Sequence, residues 1–270
     1  GKNTALSSLR VAGGSTTQLT ATGWYYGNKV YSADTSFTWS VSDALGTIDE
    51  DGTFTAVQTG RDVTGTLTVT YGETSCTLPV TVGSSQPFDD TKGHWAESYI
   101  TELYYAGTLQ GSEKNGKLYY RPDASMTRQE FIVAMMRYLG TDLSAYASVQ
   151  LPFDDSGSIA SWAKSAMQAA YQLGYLTGSK TNGKLLAKPG STISRQEGMT
   201  ILSRTKDFAD ADLNVLSAFS DSGKIADWAR TALAQMTQQK IISGSKGKLN
   251  PTGKVTRAEV AKMLYMLSET

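Results

Sequence analysis

From Phe88 to its end, this 270-residue chain is written three times over. Phe88-Asp89-Asp90, Phe153-Asp154-Asp155 and Phe219-Ser220-Asp221 open the copies at spacings of 65 and 66 residues. Each continues with Trp-Ala (Trp95-Ala96, Trp162-Ala163, Trp228-Ala229), and sixteen residues after each tryptophan stands a Gly-Ser pair: Gly111-Ser112, Gly178-Ser179 and Gly244-Ser245. A proline follows (Pro122, Pro189, Pro251), and six residues beyond it an arginine lies within Thr127-Arg128-Gln129-Glu130, Ser194-Arg195-Gln196-Glu197 or Thr256-Arg257-Ala258-Glu259. Self-similarity at one period is the signature of a repeat architecture, and it constrains the fold more than any single residue does.

Within a copy the apolar spacing is helical. Trp162, Ala166, Ala169, Ala170 and Leu173 mark one face of a first helix, and Val255, Val260, Met263, Leu264 and Leu267 one face of a second. Each copy therefore reads as helix, loop, helix. The Thr/Ser-Arg-x-Glu tetrad is a capping box, in which the hydroxyl takes an exposed backbone N–H and the glutamate three residues later reaches back. The cap does not require the arginine, which recurs at the first helical position of all three copies. Exposed N–H groups and the positive helix end converge there, and a guanidinium grips a carboxylate with two parallel hydrogen bonds, so the position suits an anion. The Gly-Ser pairs read either as further donors permitting close approach or as a helix C-cap followed by a turn. Trp95, Trp162 and Trp228 read as core residues by default, or as stacking platforms for a sugar face if their rings reach a groove edge. Phe88, Phe153 and Phe219 are assigned to packing.

The copies are not identical. Lys240 stands where the others have Gly107 and Gly174, and from Gly244 to Arg257 is 13 residues against 17 in the other copies. Copy two carries Gly198 inside its second helix, at a cost of about 1 kcal/mol relative to alanine. Three equivalent copies are therefore not expected.

Upstream, from Leu6 to Val82, short alternating runs of Thr, Ser, Val and aromatics such as Ser36-Phe37-Thr38-Trp39-Ser40-Val41 read as half-buried strands. Turn signals at Gly13-Gly14, Gly27-Asn28, Asp51-Gly52, Gly60 and Gly72 point to a small all-β sandwich. The short, Pro-terminated Gly83-Ser84-Ser85-Gln86-Pro87 marks the boundary, which gives domains at 1–83 and 87–270 with repeats near 87–147, 152–212 and 218–270. The lone Cys76 reads as a small buried strand residue. Trp24-Tyr25-Tyr26 is an aromatic cluster that either contacts glycan or fills a hairpin.

Composition narrows the chemistry. Lys plus Arg equals Asp plus Glu at 25 each, so no global field favours nucleic acid or a membrane surface. One cysteine and one histidine, His94, leave little for a metal site or a catalytic triad; His94 reads as a helix-start residue. The Asp pairs lack the alternating spacing of a calcium loop and read as local caps of the segment that follows them. No metal, cofactor or catalytic residue is expected, and no pair of carboxylates is singled out for glycoside hydrolysis. No run of 18 apolar residues or leader-like segment is present, so neither a membrane span nor a signal peptide is expected.

Two resemblances follow from these residues. Phe37-Thr38-Trp39-Ser40-Val41-Ser42, Gly46-Thr47-Ile48-Asp49, Asp51-Gly52-Thr53-Phe54-Thr55-Ala56 and Leu78-Pro79-Val80-Thr81-Val82 resemble bacterial immunoglobulin-like domains, which implies a spacer or adhesive module with Trp39 in its core. The Phe-Asp-Asp opening with His-Trp-Ala, the Gly-Ser centre and the Thr-Arg-Ala-Glu close resemble the surface-layer homology repeat, over three complete copies. That resemblance implies a multidomain chain ending in an all-α pseudo-threefold prism on an extracellular, cell-wall surface. Its grooves would bind pyruvylated cell-wall polysaccharide, lined by Arg128, Arg195, Arg257, Trp95, Trp162, Trp228 and the three Gly-Ser pairs. The alternative is a structural module that assembles with other surface-layer proteins without touching glycan.

Overall fold

The computed structural model describes residues 6–22, 24–25, 28–29 and 37–269, and the chain divides into two compact units, Gly1–Pro87 and Phe88–Thr270. The side chains of the Trp24-Tyr25-Tyr26 cluster lie outside the described residues.

In the first unit, a four-stranded sheet runs in the order Leu9–Ala12, Thr74–Gly83, Val63–Tyr71, Thr38–Val41, the first pair parallel and the others antiparallel. A three-stranded antiparallel sheet holds Thr16–Gln18, Thr53–Ala56 and Gly46–Ile48. Strand alternation sends Phe54 and Ala56 of the small sheet and Leu67, Val80 and Val82 of the large one into a single core, against which Trp39 is half-buried. Gly52, at a φ of 86°, lets the turn approach Trp39 closely: a Cβ there would lie 3.1 Å from the indole. Cys76 corrects the sequence reading. It pairs with Val69 near the hairpin tip and is exposed, because the hairpin outruns the core.

The second unit contains six helices among the described residues, two per copy: α1 (Glu97–Tyr105) and α2 (Arg128–Tyr138), α3 (Lys164–Gln172) and α4 (Arg195–Leu202), α5 (Asp227–Gln238) and α6 (Arg257–Ser268). All three capping boxes form, with Thr127, Ser194 and Thr256 as N-caps and their N–H groups held by Glu130, Glu197 and Glu259 at 2.8, 2.9 and 2.9 Å. Val255, Val260, Met263, Leu264 and Leu267 are all buried, as their spacing implied. The first-helix stripe is buried only at Ala166, Ala169 and Ala170, while its ends, Trp162 and Leu173, are exposed.

The helices pack chiefly between copies: α2 on α3, α4 on α5, and α6 back on α1. The inner strand-like segments close the same cycle, with Met126 N–H donating to Val255, Val255 to Ile193, and Ile193 to Met126, at 3.0 to 3.1 Å. A closed cycle leaves no end copy to be capped, so three repeats complete one another in a pseudo-threefold unit. The helical glycine in copy two has a packing reason. A Cβ on Gly198 would lie 3.2 Å from the ring of Phe131, a fully buried residue of copy one at the equivalent position, so the large side chain of one helix fills the space the small one leaves.

Between the helices the loops are not irregular. Copies one and two fold them into antiparallel ribbons, Ser112–Lys114 with Lys117–Tyr119 and Ser179–Thr181 with Lys184–Leu186, turning through Asn115-Gly116 and Asn182-Gly183 with positive φ at both residues. Asn-Gly is the type I′ hairpin signal, so these ribbons were legible and were missed. Copy three, with its shorter loop, keeps one bridge, Ser245 with Lys248.

Lys240 holds the left-handed position after α5 at a φ of 58°, where its counterparts are Gly107 and Gly174 at 75° and 78°. A side chain in that conformation is strained, although glycine loses more freedom on folding. Lys240→Gly should therefore raise unfolding stability by about 0.5–1 kcal/mol, read as a higher urea midpoint with an unchanged m-value.

Candidate functional site

The recurrent arginines sit where one copy meets the next. Each occupies the first position of a second helix, but the helix N–H groups there are already used. Arg128 and Gln129 donate to the carbonyls of Ser191 and Pro189 at 2.9 and 3.0 Å, and Arg195 and Gln196 to Gly253 and Pro251, both at 2.8 Å. Arg257 and Ala258 donate to Ala124 and Pro122, both at 2.9 Å. The expected anion site built from exposed helix N–H groups is thus corrected: inter-copy carbonyls occupy the donors.

The guanidinium groups are also committed. Arg128 pairs with Glu197 and Arg195 with Glu259, each reaching the capping glutamate of the following copy, with the arginine side chains only 13% and 16% exposed. Burial works to raise the Glu197 carboxyl, yet the Ser194 hydroxyl and N–H and the Arg128 guanidinium hold it below the usual carboxylate range. Arg257 breaks the pattern. It donates through Nε to Tyr120 O at 2.7 Å and through Nη2 to Gln110 O at 2.8 Å, with Cζ 4.4 Å from the Tyr120 ring centroid. Tyr120 is fully buried and donates its hydroxyl to Arg257 O at 3.0 Å; burial pushes its phenol well up against the opposing pull of Arg257. Copies two and three have Ala187 and Leu249 at the equivalent place, so only copy one offers an aromatic face. The picture of three guanidiniums waiting at open clefts gives way to two inter-copy ion pairs and one stacked cation.

The Gly-Ser glycines have a packing cause. A Cβ at Gly111, Gly178 or Gly244 would approach the ring of Phe88, Phe153 or Phe219 to 2.4, 2.6 or 2.8 Å, so each glycine makes room for the buried opening phenylalanine of its own copy. Gly178 and Gly244 also carry positive φ, of 72° and 68°. Ser112 and Ser179 begin the ribbons, and Ser245 N–H donates to Lys248 O at 2.8 Å.

The tryptophans depart from the default reading in the other direction. Trp95, Trp162 and Trp228 are 55%, 58% and 58% exposed, three large rings presented to solvent at equivalent places. A buried position would have been the ordinary fate of an indole; three exposed ones are available for contact.

The aspartate at the third position of each opening acts as a long-range clamp, not as a cap of the next segment. Asp90 accepts from Tyr120 and Arg121 N–H at 2.8 and 2.7 Å, Asp155 from Ala187 and Lys188 at 2.8 and 2.7 Å, and Asp221 from Leu249 and Asn250 at 2.9 and 2.8 Å. In each case the second donor is a residue with positive φ just before the proline, held there by the carboxylate. His94 lies in the turn three residues before α1: its Nδ1 accepts from the N–H of Ala96, the N-cap residue, at 3.2 Å, and its Nε2 lies 3.3 Å from Asp123.

One groove gathers elements of all three copies. About 660 Å³ in volume, it is lined by Arg195 of copy two, by Trp95 of copy one, and by the Ser243–Asn250 loop with Glu259, Lys262 and Met263 of copy three. Its charged side chains are four cations, Arg195, Lys246, Lys248 and Lys262, against the single carboxylate of Glu259. Lys262 went unnoticed in the sequence, although aligning the copies exposes it: five residues after the arginine, copies one and two have Val133 and Thr200.

The S-layer homology domain matches the chain three times, at residues 87–132, 152–197 and 218–261, which together make up half of it. The chain belongs to the S-layer homology family. Its relatives include an amylopullulanase of Thermoanaerobacterium thermosulfurigenes, 28% identical over 75% of this chain and 10% of that protein. An exoglucanase XynX of Acetivibrio thermocellus is 28% identical over 86% of this chain and 21% of its own length. A surface-layer 125 kDa protein of Lysinibacillus sphaericus is 32% identical over 67% of this chain and 15% of its own. The chain thus spans a small part of these relatives. Its three S-layer homology domains make it an anchor of a surface protein to the cell envelope. Among the described residues no helix is long and apolar enough to cross a membrane.

Proposed function

We propose that the S-layer homology unit anchors the protein without catalysis, by binding an acidic, pyruvylated cell-wall polysaccharide in its inter-copy grooves, and that the β unit is an immunoglobulin-like spacer. The observation that carries this reading is the groove whose lining combines the exposed Trp95 with four cations and one carboxylate. A tryptophan face packs on the apolar side of a sugar, while unpaired cations receive the carboxylate of a ketal; the two together select an acidic glycan over a neutral one. The arginines act here mainly by holding the copies in register, since Arg128 and Arg195 spend their charge on glutamates.

Replacing the arginines would therefore confuse loss of binding with loss of fold. The exposed tryptophans separate the two. The triple variant Trp95→Ala, Trp162→Ala, Trp228→Ala should keep its melting temperature within a few degrees and lose at least ten-fold in co-sedimentation with purified cell walls. Walls stripped of pyruvate should lose the unmodified protein equally. Undiminished sedimentation in both cases would leave the family's envelope attachment in place but shift the contact to protein partners.

A further inference from the structure

We infer that the groove between Arg195 and the third-copy loop is the acid-selective one, and that Lys262 is the residue that makes it so. This rests on the proposed recognition of a pyruvylated glycan and names which of the three inter-copy sites discriminates the carboxylate.

The argument is one of charge that is left over. At all three junctions an arginine begins the second helix; here, as at the Arg128–Glu197 junction, the guanidinium is taken by the capping glutamate, Glu259, whose other oxygen holds Thr256 N–H at 2.9 Å. The capping glutamate and the arginine therefore cancel at the groove floor. Lys262 lies one turn further along α6, half-buried in the same lining, with no hydrogen-bond or ion-pair partner among the described residues. At the matching helical position copy one has Val133 and copy two Thr200, both buried, and the Thr200 hydroxyl is spent on Gln196 O at 2.8 Å. Neither supplies a cation.

The loop lysines do not distinguish the copies in this way. Lys248 has counterparts in Lys117 and Lys184, so a lysine after the ribbon glycine is common to all three. Copy one pairs its lysine with Asp89 at 2.6 Å, whereas among the described residues neither Lys184 nor Lys248 has an ion pair; with Ser220 in place of that aspartate, Lys248 has no carboxylate at the matching position and adds to the excess. A half-buried ammonium with no carboxylate partner is free to donate a charge-assisted hydrogen bond to an incoming carboxylate. Trp95 lines the same groove, so sugar ring and acid group can be received together.

Calorimetry with a disaccharide bearing a pyruvate ketal, and with the same disaccharide lacking it, tests the assignment on the full chain. The unmodified protein should prefer the ketal, with affinity falling as salt rises. Lys262→Val, which installs the residue that copy one tolerates, should lose about ten-fold or more for the ketal and little for the neutral sugar. Lys262→Arg should retain most of the preference. If Lys262→Val binds the ketal as well as the unmodified protein does, the lysine assignment is wrong while pyruvate recognition stands. If the unmodified protein gives no heat with the ketal, pyruvate recognition itself falls, and this inference with it.

Discussion

Glu197→Ala and Glu259→Ala should each lower the unfolding free energy by about 3 kcal/mol, whereas Glu130→Ala should cost about 1 kcal/mol. All three glutamates close a capping box on their own helix, so all three variants lose that contribution. Only Glu197 and Glu259 also neutralise an arginine from the preceding copy. Removing them strands a guanidinium that is 13% or 16% exposed, and an uncompensated, largely buried charge is what makes breaking such a pair expensive. The value is set at the low end of the range for buried pairs because the glutamate side chains are 30% and 27% exposed. Glu130 has no such partner, since Arg257 has turned to Tyr120 and Gln110. Urea titrations of the three variants read the differences directly, and equal losses would mean that the ion pairs add nothing to the caps.

Asp221→Ala should cost about 2 kcal/mol, while Asp89→Ala leaves stability unchanged within error. The two residues belong to the same opening motif but do different work. Asp221 accepts two backbone N–H groups, one from buried Leu249 and one from Asn250, whose φ of 54° it fixes ahead of Pro251. Asp89 meets the exposed Lys117 at the surface, where ion pairs contribute little. The pH dependence follows in sign. For Asp221, burial acts to raise the carboxyl, but the two N–H donors and Lys224 hold it lower than an ordinary aspartate. Glu197 is likewise held below its ordinary value. A depressed carboxyl stabilises the fold above its unfolded value, 3.8 for Asp221 and 4.5 for Glu197, and that stabilisation disappears as pH falls through the lower folded values. Thermal melts should therefore be flat from neutral pH to about 5 and fall steeply below about 4, and the fall should be shallower in Glu197→Ala.

The amino-acid sequence by itself determined the number of copies, their two helices, the capping boxes and the β character of the first unit, because period and capping chemistry act within a few residues of chain. Asn115-Gly116 and Asn182-Gly183 carried the ribbons just as locally. What only tertiary structure decided is the occupation of the side chains. Arg195 is equally an anion receptor and an ion-pair partner until Glu259 is brought to it from 64 residues away, and Gly178 is equally a ligand contact and a place for Phe153. The spacing puts Trp162 on a stripe with buried alanines, but it stands in the 3-10 turn Ser161–Ala163 before α3 and emerges into solvent. Spacing along a chain fixes hydrogen bonds that close over one turn; charges and ring faces are assigned by whatever the closed cycle of copies places opposite them.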